Sequence, residues 1–195
     1  MRYLRPALSL VVFMTLALGI VYPLALTGVS RLLFPAQASG SLLHKDTTLI
    51  GSKLIGQPFS DPGHFWGRPS ATAPQPYNGT ASGGSNLGPL NPALLDQVDT
   101  NLKALKAAEA PDSGSDPGKV PVDLVAASGS GLDPDISVAG AQYQVARVAR
   151  ARNLAPATVQ ALITRLQKAP LFGIIGESRV NVLELNMALD SRRNE

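Results

Sequence analysis

Cysteine is absent from this 195-residue sequence, which also holds only two histidines and one tryptophan. Without cysteine the chain has neither a disulfide framework nor the lipid-modified cysteine of a lipoprotein. A zinc site would have to combine His44 or His64 with carboxylates from scattered positions. No serine carries a recognisable partner base, so the pattern of a nucleophilic hydrolase is missing. Nothing in the sequence by itself indicates an active site.

Negative charge is missing from the amino-terminal region, where Asp46 is the first acidic residue. The chain has 17 basic and 14 acidic side chains, and Arg2, Arg5 and Arg31 account for the net charge of +3. The rest of the chain is balanced, so the pI of 9.4 does not indicate a basic surface. We therefore expect no nucleic-acid partner.

One long hydrophobic run organises the chain. No charged residue lies between Pro6 and Ser30, and residues 7–29 as a helix would span roughly 34 Å, enough to cross a bilayer. Because lipid offers no hydrogen-bond partners to the backbone, we expect this segment to be a transmembrane helix. Pro23 lacks a backbone donor and is predicted to kink it.

The orientation of this helix follows from the basic residues on either side. Arg2, Arg5 and the terminal amine precede the run and only Arg31 follows it closely, so residues 1–6 are predicted to be cytoplasmic and residues 30–195 extracytoplasmic. The alternative is a signal peptide cleaved after Ala36-Gln37-Ala38. The run is longer than the apolar core of a usual signal peptide, which favours a retained anchor.

The exported part is predicted to be a single α+β domain. Leu42 to Leu54 favours one or two short strands. Gln57 to Pro92 is rich in glycine and proline but carries four aromatic residues, which predict an ordered, packed loop that contacts a partner or ligand. These residues are Phe59, Phe65, Trp66 and Tyr77. His64 and Arg68 are interpreted as satisfying local backbone carbonyls.

The second half of the chain favours helices. Asn91 can cap a helix with Pro92 at its first position, and Pro111 ends it. Its apolar stripe comprises Leu94, Leu95, Val98, Leu102 and Leu105. Asp112 to Lys119 predicts a surface turn. The further predictions are a strand at Pro121 to Ala126, a helix ending at Arg152 before Asn153, a helix from Pro156 ended by Pro170, and a closing helix with the capping box Asn181 and Glu184.

The glycine-rich run Ser128 to Asp135 precedes a predicted helix and could be taken for a phosphate cradle. It lacks the lysine of a P-loop, and Asp133 and Asp135 would repel a phosphate. We interpret both carboxylates as caps on the amides of the following helix. A calcium loop starting there lacks its glycine and has Gln144 where a bidentate glutamate belongs.

Six ordered motifs together carry a resemblance that covers nearly the whole chain. They are GQPF at 56–59, FWGRPSAT at 65–72, SGGSNLGP at 82–89, SGSGLDPDIS at 128–137, RVARARNL at 147–154 and VNVLELN at 180–186. The chain closely resembles the C subunit of the bacterial Kdp-type potassium-transporting ATPase. The resemblance implies a single-pass protein of the cell inner membrane, surrounded by lipid, in a complex that takes up potassium with high affinity.

The resemblance also implies partners and a role. The partners are a channel-like potassium-binding subunit, a P-type ATPase subunit that forms the phosphoaspartate and uses ATP and Mg²⁺, and a small hydrophobic subunit. The C subunit itself is not an enzyme but a catalytic chaperone that supports assembly and raises the ATP affinity of the pump subunit. By resemblance, Gln144 is the candidate nucleotide contact.

That candidate conflicts with the predicted orientation, because ATP is cytoplasmic and Gln144 would lie outside. An indirect role reconciles the two, with the loop from Gln57 to Pro92 as the docking surface. Its docking candidates are Phe65, Trp66, Arg68 and Asn86. The alternative function is an independent membrane-anchored, exported binding module that works without partner subunits.

Overall fold

A computed structural model describes residues 2–109 and 120–192. The chain divides into two compact units, Met1–Ser52 and Lys53–Glu195. The predicted helix end at Pro111 and the predicted turn at Asp112 to Lys119 lie outside the described residues. Mixed helix and strand confirms the α+β class.

The first unit begins with one helix, α1, that runs from Leu4 to Leu33 and is long and apolar enough to cross a membrane. In the most apolar 18-residue stretch of α1 no residue is buried within the protein, as a lipid-facing helix requires. A π-helical turn at Ala17–Val21 directly precedes Pro23, which cannot donate a backbone hydrogen bond. The predicted span of residues 7–29 lies wholly inside α1.

The rest of the first unit is short. The segment that follows α1 is partly helical, because α2 spans Pro35–Ala38 and includes the small residues of the possible cleavage site. Strands β1, Leu42–Lys45, and β2, Thr48–Ser52, form an antiparallel hairpin with a bulge after Leu43. The hairpin confirms the short strands predicted for this segment.

The second unit packs helices over a two-stranded sheet. Its elements are α3 (Pro92–Ala108), a 3₁₀ turn (Val122–Leu124), β3 (Asp135–Ser137), α4 (Val138–Tyr143), α5 (Val145–Arg152), α6 (Pro156–Leu166), β4 (Arg179–Asn181) and α7 (Val182–Arg192). Strand β3 pairs antiparallel with β4. The fully buried side chains at the centre of the core include Phe65, Val148, Val159, Ile163, Val180 and Leu185. The long loop therefore supplies one of the central core residues.

Local signals explain the helix ends. The Asn91 side chain accepts from the amide of Ala93 at 3.0 Å, and that of Asn181 accepts from the amide of Glu184 at 3.0 Å, as caps do. Asn153 ends α5 in the left-handed conformation with φ of 55°. Of the apolar stripe predicted for α3, Leu105 is buried and Leu95 is 66% exposed, while the other three residues, Leu94, Val98 and Leu102, are half-buried.

Three expectations for the second unit are wrong. Residues 122–124 form a 3₁₀ turn, not a strand: Asp123 folds back to accept from the amide of Ser137 at 2.7 Å. Asp133 and Asp135 do not cap the next helix, because Ser137 caps it through the amide of Gly140 at 2.8 Å. Helix α6 ends at Leu166, before Pro170, where the chain turns to pair with β4.

Candidate functional site

Two buried side-chain amides hold consecutive residues of the long loop. The Asn186 side chain accepts from the amide of Phe65 at 2.8 Å and donates to its carbonyl at 3.0 Å. In the same way, the Gln144 side chain accepts from the amide of Trp66 at 2.8 Å and donates to its carbonyl at 3.1 Å. Each side chain thus supplies the two hydrogen bonds that a neighbouring β-strand would supply.

Gln144 lies at the break between α4 and α5 and is fully buried. Its amide nitrogen also donates to the carbonyl of Gly140 at 3.2 Å, and its oxygen also accepts from Nη2 of Arg147 at 2.6 Å. Both donors and both acceptor positions of the side chain are therefore occupied within the protein. No donor of Gln144 is free for a ligand.

Arg147 is a buried cation that joins the loop to the helices. Its guanidinium donates to Glu109 at 3.0 Å and to the carbonyls of Pro62 and His64 at 2.6 and 2.9 Å. It also lies over the ring of Trp66, 4.7 Å from the ring centre. The side chains of Arg147 and Glu109 are only 2% and 6% exposed. The pair closes the loop against α3 and α5.

Burial dominates the electrostatics of this pair. Desolvation lowers the pKa of Arg147 and raises the pKa of Glu109, although each partner's charge acts in the opposite direction. Oε2 of Glu109 is buried and has no hydrogen-bond partner among the described residues. The arrangement is typical of a buried ion pair that fixes a conformation more than it adds net stability.

Arg68 and His64 differ from their predicted roles, because both pair with carboxylates and not with local carbonyls. Arg68 donates to Asp133 at 3.0 Å. The backbone carbonyl of Arg68 accepts a hydrogen bond from the hydroxyl of Tyr77 at 2.5 Å. Burial, followed by the charge of Asp133, raises the pKa of Tyr77 to about 12, so the phenol remains a donor.

His64 lines a cleft of about 390 Å³ between the loop and the ends of α5 and α7. Its Nε2 lies 3.2 Å from Oδ1 of Asp190, which also accepts from Arg152 at 2.6 Å. Burial acts to raise the pKa of Asp190, but the hydrogen bond and charge of Arg152 lower it below its ordinary value. The cluster ties the loop to the last helix.

The candidate docking residues are not all on the surface. Phe65 is fully buried, so its side chain offers no surface to a partner in this fold. Trp66 and Arg68 are half-buried and line a groove of about 270 Å³ beside α3, whereas Asn86 is exposed with a left-handed backbone, φ of 52°. The structure brings Trp66 and Arg68 to one groove and does not place Asn86 among the residues that line it.

The sequence singled out Gln144 and the aromatic loop but not Asn186, Arg147 or Glu109 as parts of one network. Asn186 and Arg147 each lie on the buried face of an amphipathic helix, where a polar residue usually has a partner. That positional signal could have identified them. The partner of each depends on the path of the loop, which no local pattern specifies.

Known proteins of similar sequence point to one family. Residues 4–191 match the family described as KdpC, K+-transporting ATPase, c chain. A relative from Variovorax paradoxus, named Potassium-transporting ATPase KdpC subunit, is 60% identical over 96% of this chain and 95% of its own length. Relatives of the same name from Polaromonas naphthalenivorans and Sorangium cellulosum are 59% and 55% identical, over 96% and 99% of this chain and 94% and 100% of their own lengths. The chain therefore belongs to the KdpC family of K+-transporting ATPase subunits.

Proposed function

We propose that this chain is the non-catalytic accessory subunit of an ATP-driven, high-affinity potassium uptake complex. The near full-length family match carries the proposal, and the single apolar helix suits a membrane-anchored subunit. The catalytic phosphoaspartate, ATP and Mg²⁺ belong to a P-type ATPase partner. A channel-like potassium-binding subunit and a small hydrophobic subunit complete the complex.

The second unit lies on the extracytoplasmic side of the inner membrane in this proposal. Arg2 and Arg5 lie at the amino-terminal end of α1, and Arg31 is the single basic residue near its other end. The excess of basic residues at the amino-terminal end favours a cytoplasmic amino terminus. The domain then has no access to cytoplasmic ATP.

The chain raises the ATP affinity of its partner without touching the nucleotide. Gln144 is fully buried with every hydrogen-bonding position used. A nucleotide contact would require Gln144 to give up its hydrogen bonds to the backbone of Trp66, which would leave buried polar groups unpaired. The residues present therefore do not fit a nucleotide at this position, and the role of Gln144 is to fix the loop.

The fixed loop is the docking surface for the partner subunits. Trp66 and Arg68 line one groove, and neither can move freely because Gln144, Arg147 and Asp133 hold them. A surface that is ordered before binding loses less conformational entropy on association. Asn86 adds an exposed contact along the same segment of the chain.

The test compares the purified complex with and without this chain. With the chain present, we expect the P-type ATPase subunit to co-purify and its potassium-stimulated activity to reach half-maximum at a lower ATP concentration. A photoreactive ATP analogue should label the ATPase subunit and leave this chain unlabelled. Labelling of this chain that excess ATP suppresses would overturn the indirect role, and failure to co-purify would favour the independent binding module.

A further inference from the structure

The segment from Lys168 to Arg179 forms an arm with an apolar, exposed tip. Its sequence from Pro170 to Gly176 is PLFGIIG, without a polar side chain. Four apolar side chains are exposed at the tip: Leu171 by 59%, Phe172 by 84%, Ile174 by 84% and Ile175 by 58%. Single exposed apolar residues are common, but four within five positions mark a binding surface.

The arm is a built structure and not an irregular loop. At its base Lys168 and Arg179 exchange two backbone hydrogen bonds, of 2.8 and 3.1 Å. Nearer the tip the amide of Leu171 donates to the carbonyl of Ile175 at 2.9 Å. Between Leu171 and Ile175 the chain turns sharply, through positive φ angles of 54° at Phe172 and 77° at Gly173. This backbone holds the apolar side chains outward.

The base of the arm lies where the chain enters the second unit from β2. Lys53 is the first residue of that unit, and its Nζ lies 2.7 Å from Oε1 of Glu184. Nζ of Lys168 lies 3.0 Å from Oε2 of the same carboxylate. Asn181, beside Arg179, donates to the carbonyl of Lys53 at 3.0 Å. The base of the arm therefore lies beside the first residue of the second unit.

We propose that this tip inserts into the lipid of the bilayer that α1 spans. The chain carries its own helix that is long and apolar enough to cross a bilayer, and the arm lies beside the residue at which the chain arriving from that helix enters the second unit. The tip stands at most about 17 Å beyond Lys168, a reach that allows the penetration of about 5–10 Å usual for interfacial elements. The inference goes beyond the proposed function and holds on either side of the membrane.

The charged side chains at the base of the arm indicate whether insertion needs anionic lipid. Lys53, Lys168 and Arg179 are balanced by Asp135, Glu177 and Glu184. Insertion therefore depends on apolar contact and not on anionic headgroups. We expect the tip to insert equally into zwitterionic vesicles and into vesicles that contain anionic lipid.

The test uses the full chain alone, reconstituted in vesicles, with Phe172→Cys carrying an environment-sensitive fluorophore. The native chain has no cysteine, so the label occupies one position. Leu90→Cys is the matched control, because Leu90 is 96% exposed and lies away from the arm in sequence. Thermal unfolding of the second unit should be the same for both variants, since both replaced side chains are exposed.

We expect the label at position 172 to show blue-shifted emission, quenching by lipids with a nitroxide near the glycerol backbone, and several-fold weaker quenching by aqueous iodide than the label at position 90. Equal iodide quenching at both positions would overturn the proposal. Protection of position 172 from iodide without quenching by the lipid nitroxide would also overturn it, because protein and not lipid would then cover the tip.

Discussion

The side chain of Gln144 shows how one residue can organise a long loop. It pairs with both backbone groups of Trp66 and with the guanidinium of Arg147, in a site from which water is excluded. Asn186 holds Phe65 in the same manner. Since unpaired buried polar groups are costly, these amides determine the loop conformation as much as the aromatic packing does.

Replacing Gln144 by leucine tests this directly. Gln144→Leu leaves the amide and carbonyl of Trp66 without their partners, so we expect a loss of about 3 kcal/mol in the free energy of unfolding. Urea unfolding of the detergent-solubilised chain can be followed by the fluorescence of Trp66, the single tryptophan. The matched control is Gln142→Leu, because Gln142 is exposed two positions away. Equal stability of the two variants would contradict the structural role.

A second residue-scale prediction concerns pH. Burial acts to raise the pKa of Glu184, but hydrogen bonds from Lys53 and Lys168 outweigh it and hold the pKa below its ordinary value of 4.5. A lowered folded-state pKa gives stability that is complete above the unfolded-state pKa and is lost as the pH falls through the folded-state value. The stabilising effect of Glu184 should therefore disappear in acid.

The measurement is the free energy of unfolding of the wild type and of Glu184→Gln as the pH is lowered from about 6 to about 3. We expect a shallower loss of stability in the variant, because it lacks the carboxylate that protonates. Glu177→Gln, at an exposed glutamate near the base of the arm, is the matched control for the loss of one negative charge. Parallel curves for wild type and Glu184→Gln would show that the two lysines do not stabilise the ionised form.

At the scale of elements, the end of α5 depends on a left-handed residue. Asn153 has φ of 55° and ψ of 41°, a conformation that asparagine and glycine tolerate better than other residues. We expect Asn153→Ala to lower the free energy of unfolding by about 1 kcal/mol and Asn153→Gly to leave it nearly unchanged. The comparison by urea unfolding isolates backbone conformation from side-chain contacts. A larger loss in the glycine variant would point to a side-chain role for Asn153.

Helices with local end signals could be predicted from the sequence, whereas the short strands β3 and β4 could not. Asn91 and Asn181 act within three residues of themselves, so their caps are visible in the sequence. The three-residue strands β3 and β4 exist because Asp135 and Asn181 meet across a long separation. The segment at 122–124 lacks such a partner strand among the described residues, so the strand predicted there does not form.

The candidate site shows the same division. The aromatic residues indicated an ordered loop, and Phe65 and Trp66 are indeed packed against the core. The sequence could not show that Phe65 is buried while Trp66 faces a groove, because the loop has no periodic pattern. Arg68 and His64 pair with Asp133 and Asp190, far along the chain, so their partners followed only from the fold.

At the scale of the whole molecule, the apolar helix and the α+β unit have different roles. The helix Leu4–Leu33 is long and apolar enough to cross a membrane, and the second unit presents an ordered loop and an apolar arm. In the proposed arrangement the loop contacts partner subunits and the arm contacts lipid. Neither surface requires a nucleotide, so the proposed effect on ATP affinity would pass through subunit contacts.

The side of the membrane on which the second unit lies is the central claim of this account. Leu90→Cys places one thiol on an exposed position of that unit in a chain that has no other cysteine. The measurement is labelling by a membrane-impermeant maleimide in spheroplasts, before and after lysis. We predict full labelling of intact spheroplasts, with no increase on lysis. Labelling that occurs only after the cytoplasmic face is opened would contradict the account and make direct contact with ATP possible again.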